Sequence, residues 1–119
     1  MLELIQTKQW RALNRLFATS PQLIGVVLEN GQTILHYLVI HRFSAALDEL
    51  IEEFEPNVNV QDDLGNTPLH YAALVEFNPR NYINPLINMG ADCYIKNKKG
   101  QLPKDLVYGN RTTVVEWLT

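Results

Sequence analysis

The sequence predicts an all-α chain built of repeats, and three observations carry that prediction. The stretch Leu64-Gly65-Asn66-Thr67-Pro68-Leu69-His70-Tyr71-Ala72-Ala73 is a tight turn that leads directly into a helix. A weaker copy, Gly31-Gln32-Thr33-Ile34-Leu35-His36-Tyr37, precedes it, and a worn one, Gly100-Gln101-Leu102-Pro103-Lys104-Asp105-Leu106-Val107, follows. The turn glycines Gly31, Gly65 and Gly100 recur at intervals of 34 and 35 residues, and self-similarity at such a period marks a repeat architecture. Between the first two copies, Phe43, Ala46, Leu47, Leu50, Ile51 and Phe54 fall on one helix face.

The best copy shows why these letters occur together. Gly65 takes the positive φ of a turn without steric cost. Thr67 is an N-cap, and Pro68 stands at the first helical position, where its missing N–H is not needed. Leu69, Ala72 and Ala73 follow at helical spacing, with small residues where a second helix must come close. His70 falls three residues after the cap, within reach of the Thr67 hydroxyl.

A period near about 33 residues with a T-P-L-H-x-A core, here Thr67 to Ala72, is the ankyrin signature. The chain resembles the ankyrin-repeat family over roughly residues 9 to 119. The resemblance implies an all-α solenoid of about three to four stacked helix–turn–helix units with short β-turn fingers, the terminal units divergent. On that basis residues 1–119 form a single domain. It divides into a divergent helix pair with the first finger (1–30), two repeats (31–64 and 65–99) and a degenerate repeat (100–119).

Taken in order, Trp10, Leu13, Leu16 and Phe17 form the stripe of an early helix, and Ser20-Pro21 stops it, because a residue before proline avoids the α region. Ahead of each turn glycine, Ile24 and Val26, Val58 and Val60, and Cys93 and Ile95 are apolar residues two apart, which predicts an extended segment with one buried face. Asn59 keeps the side chain that the family uses to bond the finger backbone. Asp62 and Asn97 are good turn openers through Asx bonding, and Leu28 is not. In the 43–54 helix, Asp48, Glu49, Glu52 and Glu53 sit opposite the apolar face, with Glu55 after them, as a solvated surface.

The second repeat holds two residues more than the family template, placed in Glu76-Phe77-Asn78-Pro79-Arg80. With Asn81 as N-cap, the outer helix starts at Tyr82 and Pro85 falls at its fourth position, whose N–H has no helical partner. Gly90 ends that helix. The third copy replaces the cap, the core leucine and the histidine by Leu102, Lys104 and Asp105. A core-position lysine is tolerable only where its ammonium reaches water, which suggests a terminal repeat. The chain stops with no polar tail, so it reads either as capped there or as the first part of a longer protein.

Composition bounds the function. Hydrophobic residues make up 46% of the 119, as in a folded domain. The formal net charge of −3 argues against a broad nucleic-acid footprint. With one cysteine, Cys93, no internal disulfide is possible and no zinc cluster can be built from thiolates. The opening residues, with Glu3 and Lys8, do not form a signal peptide. No stretch is long enough to span a membrane. The expectation is therefore an intracellular, cytoplasmic chain, with delivery into a host cell as the alternative.

His36 and His70 brace the turns, and nothing follows the phosphate-loop or G-x-S-x-G patterns. No catalytic set, cofactor or metal site is expected. The resemblance places the partner-contacting positions on the finger tips and inner-helix ends. They are Gln32, Ile40 and His41 in the first full repeat, then Gln61, Asp63, Leu64, Asn66, Leu74 and Val75. Lys96, Lys98, Lys99 and Gln101 follow around the third finger. Ile40, Leu64, Leu74 and Val75 are expected to be apolar groups facing solvent. Asp62 and Asp63 should make one tip acidic, and the three lysines the next one basic. The expected function is a non-enzymatic protein-interaction module. The partner is another protein rather than nucleic acid or membrane, and the chain is monomeric unless its apolar C-terminal end pairs. The rival reading is a targeting or regulatory arm of a larger protein, in its weakest form a secreted effector.

Overall fold

The structure, a computed structural model, describes residues 2–107 and 111–119. Seven α-helices appear among them: α1 (Leu2–Gln6), α2 (Trp10–Thr19), α3 (Ile34–Ile40), α4 (Ser44–Phe54), α5 (Pro68–Ala73), α6 (Arg80–Asn88) and α7 (Thr112–Trp117). Two 3₁₀ helices, Pro21–Gly25 and Pro103–Leu106, complete the set, and no strand occurs among the described residues. Inner helices α3 and α5 pack side by side, with the Pro103–Leu106 turn against α5, while α2, α4 and α6 form the outer row. The result is elongated, 41 × 26 × 23 Å.

Between the rows lies one continuous core. Leu35, Leu38 and Val39 of α3 meet Leu47, Leu50 and Ile51 of α4, and Leu69, Ala72 and Ala73 of α5 meet Ile83 and Leu86 of α6. Ala72 and Ala73 are fully buried, which is what lets α3 and α5 approach. At the N-terminal end Phe17 meets Phe54 edge-on at 5.9 Å, and Trp10 meets Phe43 at 5.2 Å, so the early helices close the stack. Helix α2 stops at Ser20, as the proline after it requires.

Three local expectations need correction. First, the residues before the fingers are not the extended segments expected: Val58 and Cys93 open turns at 58–59 and 93–94, and the first finger is preceded by a 3₁₀ turn. Pro21 favours a tight 3₁₀ turn over Pro21–Gly25, Ile24 is buried within it, and Val26 lies exposed after it. Second, α6 begins at Arg80 with Pro79 as N-cap, two residues earlier than the placement that excused Pro85. The amides of Tyr82 and Ile83 both donate to the Pro79 carbonyl, at 3.0 and 2.9 Å. Pro85 is therefore interior and cannot donate to the carbonyl of Asn81. The inserted residues do lie between the helices, and the chain turns there with Asn78 at φ 51°. Third, at the inner position of the degenerate repeat the described residues form a 3₁₀ turn, Pro103–Leu106, instead of a helix like α3 and α5, and this copy lacks both the cap hydroxyl and the core leucine. Helix α6 ends as expected, with the Ala91 and Gly90 amides returning to the carbonyls of Leu86 (2.9 Å) and Ile87 (3.0 Å).

Candidate protein-binding face

The fingers are built by side chains that imitate backbone. Asp62 Oδ1 accepts the amides of Leu64 (3.0 Å) and Asn66 (2.9 Å). Asn97 Oδ1 accepts those of Lys99 (3.0 Å) and Gln101 (2.9 Å). One Asx-based turn is thus made twice. The first finger, with Leu28 at that position, is closed by backbone bonds: the Leu28 amide donates to the Gln32 carbonyl (2.7 Å) and the Gln32 amide to the Glu29 carbonyl (2.9 Å). Successive tips are tied together: the Asp63 amide donates to the Asn30 carbonyl, and the Lys98 amide to the Leu64 carbonyl, each at 3.0 Å.

Each signature histidine joins its own helix start to the next finger. The Thr67 amide donates to His70 Nδ1 at 3.0 Å, and the Thr33 amide to His36 Nδ1 at 3.1 Å. Because Nδ1 accepts, the ring proton sits on Nε2, which donates to the carbonyl of Gln101 from His70 and of Asn66 from His36, both at 2.9 Å. Burial of both rings lowers their pKa and keeps them neutral. Asp105 replaces only half of the histidine's bonding, since its carboxylate accepts the Leu102 amide at 2.9 Å but offers no forward donor. Asn59 makes a second link of this kind, donating to the Gly90 carbonyl and accepting the Asp92 amide.

A polar network runs across the inner ends of the fingers. The Tyr71 hydroxyl donates to the Asp62 carboxylate, and Asn66 Nδ2 lies 3.3 Å from that hydroxyl. Burial, with the Asp62 bond after it, raises the Tyr71 pKa. Asn97 Nδ2 reaches Asn66 Oδ1 (2.9 Å) and Gln101 Oε1 (3.0 Å). Gln32 joins through Asp62 and Tyr71, both at 3.4 Å.

The sequence-predicted contact residues therefore divide. Gln32, Asn66 and Gln101 are half-buried members of this network. Gln61 is exposed, but its amide bridges the carbonyls of Gly65 (2.9 Å) and Lys96 (3.2 Å). Asp63, Leu64, His41, Leu74, Lys96, Lys98 and Lys99 are exposed, and Ile40 is half-buried. His41 lies against Tyr37, with ring centroids 4.2 Å apart and ring planes tilted by 35°. Two expectations fail. Val75 is 1% exposed and belongs to the core, its amide returning to the Ala72 carbonyl of α5 at 3.2 Å. Asp62 is buried and consumed by its turn and by Tyr71, so of the two aspartates only Asp63 presents its charge at the second tip.

Among the described residues the exposed large apolar side chains are Val26, Val27 and Tyr94, together with Leu64 at 62%, Leu74 at 41% and Phe77 at 81%. Phe77 was not among the expected contacts. Its signal was present as an aromatic residue inside an insertion, between charged and polar neighbours. With Arg42, Glu76 and Tyr82 it lines an open cleft.

Paired helices stacked in two rows, with turns laddered along one edge, define a helical repeat solenoid in which each unit is stabilised by its neighbours. The chain belongs to the ankyrin-repeat family: a family model of ankyrin repeats in three copies matches residues 5–97. It is 35% identical over 109 residues to oxysterol-binding protein-related protein 1 of Rattus norvegicus, covering 92% of this chain and 10% of that protein. It is 29% identical over 90 residues to the nuclear factor NF-kappa-B p105 subunit of the same species, covering 71% of this chain and 9% of that one. A putative ankyrin repeat protein of Rickettsia bellii (strain RML369-C) is 39% identical over 66 residues, covering 54% of this chain and 38% of that protein. The chain thus spans about a tenth of the length of the first two relatives. Ankyrin repeats are generally protein-interaction modules and typically non-enzymatic. Among the described residues no group of three or more His, Cys, Asp or Glu is placed to hold a metal ion, and no helix is long and apolar enough to cross a membrane.

Proposed function

We propose that the chain is a non-enzymatic module that binds a partner protein across its finger tips and inner-helix ends, with Leu64 and Leu74 at the centre. The observation that carries this reading is a core that closes without them. Leu35, Leu38, Leu69, Ala72, Ile83 and Leu86 are buried, and no buried side-chain polar atom among the described residues lacks a partner. Folding therefore does not account for Leu64 and Leu74 standing in water, whereas a partner that desolvates them does. Ile40 and His41 close α3 as Leu74 closes α5, and the two helices pack side by side.

The test is the double change Leu64→Ser with Leu74→Ser, neither residue being core. Capture of the partner should fall at least about tenfold, equal to roughly 1.4 kcal/mol, with an unchanged melting curve. Intact capture by a folded double variant would move the interface elsewhere, first to the acidic surface of α4. A second reading, an arm of a larger protein, is supported by relatives in which the matched segment is about a tenth of the whole. Sequencing the transcript past the Thr119 codon decides it, and a stop codon there rules it out.

A further inference from the structure

The bond from the Lys98 amide to the Leu64 carbonyl, at 3.0 Å, sets the tip of the third finger directly beside an exposed leucine. Lys96, Lys98 and Lys99 are all exposed, and among the described residues none of them forms an ion pair or a side-chain hydrogen bond. Their backbone is nevertheless fixed: Asn97 holds the amides of Lys99 and Gln101, and Gln61 holds the carbonyl of Lys96. Three ammonium groups are thus presented from one rigid turn. Of the two carboxylates on the second tip, that of Asp62 is buried beneath it, and that of Asp63 is exposed but lies beside Gly31 of the first finger.

We infer that the segment recognised here is a short acidic stretch of a partner protein, with an apolar side chain on Leu64 and adjoining Asp or Glu residues against Lys96, Lys98 and Lys99. This deepens the proposed function and rests on it. Charge complementarity is the argument. An apolar contact flanked by one sign of charge selects a segment carrying an apolar residue beside the opposite sign, and the charges chiefly set the association rate. An anionic membrane is the weaker match. Three lysines fall short of the roughly four to eight that recruit such a surface. The chain also carries a net charge of −3, with Asp48, Glu49, Glu52, Glu53 and Glu55 crowded on α4 and its C-terminus.

A random peptide display library selected on the intact chain tests this. Enriched sequences should place Asp or Glu runs next to a leucine-like residue. Selection on a Lys96→Glu, Lys98→Glu, Lys99→Glu variant, shown to fold by its far-UV circular dichroism and melting curve, should lose them. The synthesised consensus should bind at least about tenfold more weakly to that variant and to the chain at high salt, and Leu64→Ser should weaken it further. Enrichment without acidic residues, or no enrichment, would overturn the inference. So would consensus binding indifferent to the lysine reversals. Equal lysine-dependent binding to phosphatidylserine–phosphatidylcholine vesicles, with no acidic consensus, would assign the lysines to a membrane instead. The two readings fail separately: partner capture that survives lysine reversal but not the Leu64 and Leu74 double change removes this inference and leaves the proposed function standing.

Discussion

Gly65 and Gly100 occupy the same position in successive fingers at nearly the same backbone angle, φ +78° and +74°. Only their surroundings differ. A Cβ on Gly65 would lie 2.7 Å from the Lys98 backbone nitrogen and 3.1 Å from the backbone of Asn97, whereas one on Gly100 would meet nothing within 4 Å. Gly100→Ala therefore isolates the strain of a left-handed L-residue, about 1–2 kcal/mol. A few tenths to about 1 kcal/mol of that is offset because alanine narrows the unfolded ensemble. Gly65→Ala carries the same strain and must also push the third finger away. That breaks the Lys98–Leu64 backbone bond, worth about 1 kcal/mol, and disturbs the Asn97 turn beside it. The expected costs are about 0.5–1 kcal/mol for Gly100→Ala and about 2–3 kcal/mol for Gly65→Ala. Urea titration followed by circular dichroism gives both from the midpoints at a common slope. Equal losses in the two variants would refute the claim that the fingers are held by direct backbone approach at Gly65.

Two further outcomes are expected. His36 and His70 have folded pKa values below the ordinary 6.5 because they are buried neutral, with Nδ1 committed as an acceptor. The unfolded chain then binds more protons just below pH 6.5, so the stability they contribute is complete above that value and falls as pH drops towards the lowered folded values. A urea midpoint that does not fall between pH 7.5 and pH 5.5 would contradict this. Pro85→Ala should stabilise the chain by about 1–2 kcal/mol, because it restores an amide opposite the Asn81 carbonyl inside α6 at a partial cost in unfolded-state entropy. A destabilised variant would mean that the proline ring is needed where it packs.

The repeat plan was legible because it rests on local chemistry. Thr67, Pro68 and His70 are read within one turn of helix, and the Asx turns at Asp62 and Asn97 within four residues. What sequence reasoning missed depends on where the chain goes next. The start of α6 is set by the Pro79 carbonyl taking two amides, which brings Pro85 inside the helix. Val75 looked like Leu74 in the sequence, one residue on at the end of an inner helix. They part at the C-cap of α5, where Leu74 stays 41% exposed while Val75 is buried. The second tip keeps only Asp63 of its two expected charges for a long-range reason, since Tyr71, nine residues on from Asp62, reaches back to bond Asp62.

The central claim, that the partner meets the finger tips and inner-helix ends around Leu64 and Leu74, is tested most directly by amide hydrogen exchange of the chain with and without its captured partner. The account predicts new protection over residues 61–66, 74–78 and 96–101, with α4 exchanging as it does in the free chain. Protection confined to α4, with the finger amides unchanged, would contradict it.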